Sequence, residues 1–496
     1  MRDLQSGVLR VASHINSLRS PESLQNVTSN WRKPLLTFWL RTLGRPILAQ
    51  LDLARSIERA SPEALRRLQQ ERLTLLLSHA ANQCDYYRAI LRDADVISEG
   101  KVDLERFWEL PFLTKDILTV EGPRLRAESI PKGRAPFRNR TGGSTGEPAE
   151  FWQDSHYHAA NTANKLYYFE SLGKKPGQPE LKIWGSKRDI LLDNTGWLTG
   201  VRNYLYNRKI EGCATLGEER LREIVATIDR FHPRVIWAYV DGMTAVAEYV
   251  VDREICLPSP AAVFCGGGTL YEHMRQVIEE AFRCPVINYY GSRELGAVAC
   301  QCERGGGLHT TSHSHLVEVV DGRGHAVVEQ EGDIVVTSLT NYAMPFIRYW
   351  TGDRGALTER NCECGRVFPM LKHVSGRTIE SFVKRNGEVV SSIHLGTLVG
   401  ANLRRGLVSK FQLVQEEYDR VRIRIVPGPK ATRSELDKRL GQLAEKIGGL
   451  MGTCCVVTWE TVESIPPAAS GKFMPTLCRV AKRNQSQAPV EGAGHA

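Results

Sequence analysis

The sequence predicts an α/β fold. A large N-terminal domain, made of parallel-sheet α/β subdomains plus a β-barrel-like subdomain, is followed by a small C-terminal α+β domain. Three observations carry that expectation. Between about residues 150 and 300, short β-rich runs alternate with helical patterns, as in parallel strands joined by helical crossovers. From about 308 to 358 the character changes to alternating strands, which suits an antiparallel or barrel-like arrangement. From about 381 to 483, three strand-like runs surround one helical pattern. A chain of 496 residues is long enough for two to four domains, with a large core in at least one of them.

Taken in order, residues 1–60 form a helical extension, in which Leu35, Leu36, Phe38, Trp39 and Leu40 are too apolar to be left in water and are expected to pack on the main body. Ser61, Pro62 and Glu63 supply an N-cap, a first-turn proline and an acidic first turn. They open a long helix through Leu65, Leu68, Leu73, Leu76 and Leu77. The stretches CDYYRAILRDADV and LERFWELPFLTKDIL then alternate helix with a proline-marked turn. Strands are expected at 181–184, 235–239, 261–265 and 286–290, with helices at 218–231 and 270–282. Strands at 315–320 and 332–338 belong to the second pattern. In the last segment, strands at 410–414, 421–426 and 454–458 accompany a helix over 432–451. The expected bounds are 1–60 for the extension, 61–375 for the large domain, 376–380 for a boundary, and 381–483 for the small domain. The tail 484–496 lacks apolar periodicity and is expected to be disordered. There are no internal repeats.

The net charge of +9 is spread along the chain rather than gathered into runs, which argues against a nucleic-acid partner and leaves an anionic ligand or membrane surface open. The best apolar stretch, 35–43, is broken by Arg41 and followed by Arg45, too short for a transmembrane segment. The first residues, MRDLQSGVLRVASHINSLRS, lack a signal peptide's apolar core, so a cytoplasmic location is expected. The 12 cysteines are then expected as thiols or metal ligands.

The most telling stretch is TGGSTGEP, 141–148. Gly142, Gly143 and Gly146 let the backbone approach a ligand closely, Thr141, Ser144 and Thr145 supply hydroxyls, and successive N–H groups can line an anion nest. Glu147 follows Gly146, so a Walker A lysine is missing, and the loop by itself could equally be a polar surface turn. Four further motifs follow. Tyr289-Tyr290-Gly291-Ser292-Arg293-Glu294 ends an expected strand, where a tyrosine can stack on a purine and a carboxylate can hold Mg²⁺; core tyrosines are the alternative. Gly352-Asp353 offers a tight turn and an acceptor for a ribose diol, or simply a turn. Gly376-Arg377-Thr378-Ile379-Glu380 lies at the domain boundary, and Ser470-Gly471-Lys472 puts a lysine on a glycine-preceded loop. Gly266, Gly267 and Gly268 suggest close backbone approach to adenine or substrate, and Trp237 and Tyr239 could flank an aromatic acid or be core. Cys302, His309, Cys362 and Cys364 make a Cys₃His set suited to tetrahedral zinc, although the spacing is unlike a common zinc finger and Cys300 is a rival ligand. The other cysteines, Cys454 and Cys455 included, are expected as buried small apolar residues, and His313 and His315 as structural.

In order and together, the loop and its four followers resemble the motifs of the adenylate-forming superfamily, and within it the phenylacetate-CoA ligase, CapK and coenzyme F390 synthetase-like branch. ERLTLLLSHAANQCDYYR, LPFLTKDIL, YGSRELG and MPFIRYWTGD carry the closer match, over roughly 60–480. The resemblance implies an ATP-dependent, AMP-forming ligase: a large adenylation domain, a hinge at 376–380 and a mobile C-terminal lid. A small carboxylic acid would be converted to an acyl-adenylate and transferred to CoA or to an amine or hydroxyl acceptor. By the same resemblance, Thr141, Gly142, Gly143, Ser144, Thr145 and Gly146 hold phosphates, and Gly266, Gly267, Tyr289, Tyr290, Gly291 and Ser292 surround the nucleotide. Asp353 and Arg377 meet the ribose, Glu294 binds Mg²⁺, and Lys472 bridges carboxylate and α-phosphate. The pattern C…GLH and CxCGR strengthens the zinc expectation for Cys302, His309, Cys362 and Cys364. The CapK branch suggests capsular or exopolysaccharide biosynthesis, and a homodimer stays open. Two departures stand out. The hinge acid of the family falls at Ile379, with Glu380 one place later, and the threonine before the metal-binding glutamate is Arg293. The altered hinge position, together with the less diagnostic first 60 residues, motivates an alternative, a catalytically silent nucleotide-binding scaffold in polysaccharide assembly.

Overall fold

The structure, a computed structural model, describes residues 21–42, 46–141, 149–185, 196–213, 216–377, 381–390, 395–396, 398–399, 402–403, 407–428, 431–452, 454–466 and 473–480. At the N-terminal end, α1 (Pro21–Thr42) and α2 (Ile47–Ile57) bury Leu36, Leu40, Ile47 and Leu51. Leu35 and Phe38 do not pack as the sequence suggested: they stay 48% and 67% exposed, on the far side of α1 from Leu36 and Leu40. α3 (Pro62–Gln83) starts as expected, the Ser61 hydroxyl accepting from the Ala64 N–H with Pro62 at the first helical position. α4 (Asp85–Asp93) follows, burying Tyr87 and Leu91.

An antiparallel hairpin, β1 (Pro136–Arg140) and β2 (Glu150–Asp154), then leads into α5 (Ser155–Ser171), whose N-cap Asp154 accepts from the N–H groups of His156 and Tyr157. The parallel strands are β3 (Glu180–Trp184), β4 (Arg208–Gly212), β5 (Val235–Tyr239), β6 (Ala262–Gly266) and β7 (Val286–Ser292). Their crossovers include α6 (Trp197–Tyr206), α7 (Glu218–Phe231), α8 (Val240–Asp252) and α9 (Glu272–Phe282). Residues of β5 and β6 are buried on both faces, as parallel strands between helical layers require. One face packs on α7, α8 and α9 through Ile224, Val246 and Ile278; the other packs on α1, α2 and α5 through Trp237, Phe264 and Ile287.

The antiparallel strands β8 (Gly296–Gln301), β9 (Leu308–Thr310), β10 (His315–Val320), β11 (Gly332–Ser338), β12 (Tyr349–Thr358) and β13 (Met370–Arg377) run on from β7. Among the described residues this makes one eleven-stranded sheet in the order β10-β11-β12-β13-β9-β8-β7-β6-β5-β3-β4. β7 is the seam, parallel to β6 and antiparallel to β8.

The last segment has a core of its own. β14 (Val408–Glu417), β15 (Arg420–Pro427), β16 (Val456–Thr461) and β17 (Thr476–Cys478) form a sheet ordered β16-β15-β14-β17. Helix α10 (Arg433–Met451) packs Leu436, Leu440, Leu443 and Ile447 against Leu413, Val421, Ile423 and Ile425. Cys454 is exposed and Cys455 half-buried, against the expectation of buried apolar residues; they sit in the turn that enters β16 rather than inside the strand.

Candidate functional site

The hairpin explains how the glycine-rich loop is held. Arg140 pairs with Glu150, and beyond them Thr141 N–H donates to Ala149 O at 2.9 Å while Ala149 N–H donates to the Thr141 hydroxyl at 3.0 Å. Thr141 is 4% exposed. Its hydroxyl therefore closes the neck of the loop, a role that spacing alone did not suggest. Gly142, Gly143, Ser144, Thr145 and Gly146 lie outside the described residues, as do Thr378, Ile379 and Glu380 of the expected hinge and the loop bearing Lys472.

The neck is tied to the acidic motif by a residue that the sequence reading missed. Gln153 on β2 is 2% exposed, and its amide donates to the carbonyls of Arg293 at 2.8 Å and Glu294 at 3.1 Å, while its oxygen accepts from Asn139 at 3.2 Å. Asn161 on α5 adds a second tie, accepting from Ala297 N–H at 3.0 Å. Both are isolated amides in the sequence; only the pairing of distant segments gives them a role.

The motif itself turns at the end of β7. Gly291 is required by close packing, since a Cβ there would lie 2.1 Å from Gly296 O. Tyr289 packs among Tyr168 and Trp237, and burial pushes its hydroxyl well above the usual tyrosine range. Tyr290 is half-buried, and its hydroxyl donates to Asp353 Oδ2 at 2.8 Å. Asp353 follows Gly352 at φ +75° and faces Arg377 across β12 and β13, so the structure brings Tyr290, Asp353 and the Arg377 backbone together. Ser292 and Glu294 are half-buried at the same strand end, the Ser292 hydroxyl accepting from Leu295 N–H at 3.2 Å. Acceptors gathered beyond the C-terminal ends of parallel strands are where such sheets receive ligands.

Gly266 and Gly267 ending β6 have a reason within the chain itself. A Cβ on Gly266 would come 2.7 Å from Tyr289 O, and one on Gly267, at φ +79°, would come 2.6 Å from the Tyr239 ring. Beside them lies an aromatic wall: Trp184 is 4.9 Å from Trp237 and 4.2 Å from Tyr239, centroid to centroid. The Trp237 Nε1–H is buried and has no hydrogen-bond partner among the described residues.

The cysteine set converges. The ligand atoms of Cys302, His309, Cys362 and Cys364 all lie within 4.8 Å of one another; Cys300, the rival, is buried on β8 opposite His309 and outside this group. Cys302 Sγ is 3.6 Å from Cys362 Sγ, and Cys364 Sγ is 3.3 Å from His309 Nε2. Tetrahedral bonds of about 2.3 Å to sulfur and 2.0–2.1 Å to nitrogen imply separations of roughly 3.8 and 3.6 Å, so the residues fit zinc. His309 Nδ1 lies 3.2 Å from Phe368 O, the backbone contact that fixes which ring nitrogen faces an ion. Burial pushes the Cys302 thiol up to about 12. At Cys364 burial acts in the same direction, but hydrogen bonds from the Arg366 backbone, Cys362 and the Arg366 side chain outweigh it and lower the pKa. Arg366 also bonds Glu58 at 3.1 Å and Glu303 at 3.0 Å, which fastens the cluster to α2. His313 and His315 are structural as expected, the first 2.8 Å from Asn164 Oδ1 and the second 2.8 Å from Leu295 O.

Residues 382–477 match the CapK C-terminal domain. The chain is 23% identical to Protein CapK of Staphylococcus aureus over 415 residues, 82% of this chain and 88% of that one. It is 28% identical to the phenylacetate-coenzyme A ligase of Thermus thermophilus over 346 residues, 67% of this chain and 75% of that one. Its fold is similar to that of 2-hydroxyisobutyryl-CoA ligase, solved in the postadenylation state in complex with R3-HIB-AMP, with TM-score 0.69 and 18% identity over 86% of this chain and 92% of that one. The resemblance read from the motifs holds: these relatives all lie within the adenylate-forming superfamily.

Proposed function

We propose that this chain is an ATP-dependent, AMP-forming ligase that turns an aryl or similarly small carboxylic acid into an acyl-adenylate and passes the acyl group to CoA or to an amine or hydroxyl acceptor. The observation that carries this reading is the 2.8 Å bond between Tyr290 and Asp353 at the end of β7, on the same turn whose next carbonyls Gln153 ties to the glycine-loop hairpin. Nucleotide, ribose and phosphate motifs far apart in sequence would thereby serve one ligand.

In the reaction, an acid oxygen attacks the α-phosphorus of ATP, the bond to the bridging oxygen breaks, and pyrophosphate leaves. Two anions must approach, so positioning and positive charge do the work rather than a protein nucleophile. With Thr141 closing its neck, the loop 142–146 would cradle the β- and γ-phosphates by backbone N–H groups, Tyr290 would lie on adenine, and Asp353 would take the ribose hydroxyls with Arg377 beside it. Glu294 would hold Mg²⁺, which offsets triphosphate charge when bound. Lys472 would supply the cation at the reacting phosphate. The acid's apolar part would rest against Trp237 and Tyr239. We take 61–375 as the adenylation domain, 376–380 as the hinge and 381–483 as a lid that rotates to admit the acceptor; the separate core and the match over 382–477 support that division. Cys302, His309, Cys362 and Cys364 would hold a structural zinc. A cytoplasmic place in capsular or exopolysaccharide biosynthesis, with a sugar amine as acceptor, would suit the CapK likeness.

Mass spectrometry of reactions with ATP and a panel of acids, with and without CoA, tests the proposal. An acyl-adenylate and AMP are expected, with a thioester appearing when CoA is the acceptor. ATP binding without any of these products would favour a silent nucleotide-binding relative instead.

A further inference from the structure

Of the thirteen exposed large apolar side chains among the described residues, seven sit on two touching helices, α1 and α6. On α1, Trp31, Leu35 and Phe38 are 40%, 48% and 67% exposed and share one stripe at i, i+4, i+7. On α6, Trp197, Val201 and Tyr204 repeat that spacing at 77%, 39% and 56%, with Leu198 beside them at 57%. The stripes meet where Trp31 and Tyr204 lie 6.0 Å apart, and the Arg32 guanidinium stands 5.1 Å and 4.8 Å from their rings. Each helix already spends its inner face on the core, through Leu36 and Leu40 on α1 and Leu205 and Tyr206 on α6. The outer stripes are not required by the fold.

The two chain segments that bear these stripes carry charge of one sign. Between Glu22 and Asp52 the sequence carries Arg32, Lys33, Arg41 and Arg45 and no acid. Between Asp193 and Glu211 it carries Arg202, Arg208 and Lys209 and no acid; Arg208 is paired with buried Glu180 and Arg202 is also engaged within the chain, which leaves Lys209 as the cation this stretch adds. We infer that the α1–α6 face docks on an anionic lipid bilayer, with the aromatic and aliphatic stripes in the headgroup region and the basic side chains on the lipid phosphates. Tryptophan, tyrosine and arginine are the residues that favour that depth, and an apolar stripe flanked by cations is what an interfacial helix needs. No helix among the described residues is long and apolar enough to cross a membrane, so contact is with one surface. A second copy of this chain fits poorly. A two-fold contact would set this basic face against the same face of the other copy, with no acid from residues 23–51 or 194–210 to meet Arg32, Lys33 and Arg41. The inference does not depend on the ligase reading.

The full chain is mixed with sucrose-loaded vesicles of phosphatidylcholine alone or with about 30 mol % phosphatidylglycerol, at low and high salt, and sedimented. Binding about tenfold tighter to the anionic vesicles, weakened by salt, is expected. The double variant Phe38→Ser/Trp197→Ser should lose about tenfold or more of that binding, and Lys33→Glu/Arg41→Glu should abolish the lipid selectivity. Circular dichroism and melting should match the parent, since these side chains are exposed. Equal or absent sedimentation with both vesicles, or undiminished binding in the folded double variant, overturns the inference. So does a concentration-dependent dimer in analytical ultracentrifugation that Phe38→Ser/Trp197→Ser dissociates, which would assign the face to a second copy.

Discussion

Replacing Gln153 by leucine keeps the side chain's bulk and removes its amide. The carbonyls of Arg293 and Glu294 lose donors at 2.8 and 3.1 Å, and Asn139 loses its acceptor at 3.2 Å. A buried polar group left without a partner costs about 1–3 kcal/mol. Arg293 and Glu294 are half-buried and can recruit some water, and the Tyr157 hydroxyl stays 3.5 Å from the Arg293 carbonyl, so the sum falls near 2–4 kcal/mol, around the foot of the roughly 3–9 kcal/mol that three full penalties would give. With an unfolding entropy of about 2.1 cal/mol/K per residue over roughly 315 residues, that is a drop of about 3–6 °C in melting temperature. The functional effect should be larger than the stability loss implies. Gln153 fixes the backbone that carries Glu294, and a misplacement of about 1 Å can cost on the order of 10²-fold in rate. Differential scanning fluorimetry and pyrophosphate exchange on the same preparation separate the two, with Asn139→Ala as a milder companion that leaves both carbonyls satisfied. Unchanged melting with exchange within about twofold of the parent would refute the view that this amide couples hairpin to acidic motif.

Cys364→Ser should lower bound zinc from one ion per chain to substoichiometric levels and destabilise the chain by several kcal/mol, read by metal analysis and melting; a parent protein without zinc after purification in zinc-supplied medium sinks the assignment. Tyr290→Phe removes one hydrogen bond to a carboxylate, about 1.5–3 kcal/mol, and should raise the apparent KM for ATP about tenfold or more, whereas an unchanged KM would detach Asp353 from the nucleotide. His313 and His315 are buried, and desolvation holds them at about 3 and about 4. Both are neutral in the folded chain at pH 7, while the unfolded chain takes up protons near pH 6.5; their stabilisation is complete above that pH and lost as it falls toward 4, at up to about 1.4 kcal/mol per pH unit each. Urea titrations from pH 7 to 5 should show that slope, and His313→Gln should flatten it; an identical slope in the variant would contradict the assignment.

Elements whose pattern is local were legible in advance. β5, α7, β10 and β11 begin and end at the expected residues because β-branched runs and an amphipathic period are bounded by glycine, proline or charge. The α3 start followed from Ser61 and Pro62 in the same way. What escaped is non-local. Gln153 and Arg366 matter through partners about 140 and 300 residues away, and no period marks them. Gly266 and Gly267 were read as ligand approach and Gly291 as part of the nucleotide motif, yet each already has a chain neighbour that a Cβ would strike. Leu35 and Phe38 were assigned to the core by hydrophobicity, which cannot tell an inner stripe from an outer one on a helix apolar on both sides. The four zinc-type ligands were chosen by chemistry, and strand pairing of β8 with β9 and β9 with β13 brings them together.

The central claim is tested most directly by acid-dependent exchange of labelled pyrophosphate into ATP across aryl, fatty and amino acids, with Lys472→Ala alongside. Exchange with at least one acid, lost in the folded Lys472→Ala protein, is the expected result. No exchange with any acid, although ATP binds, would contradict it.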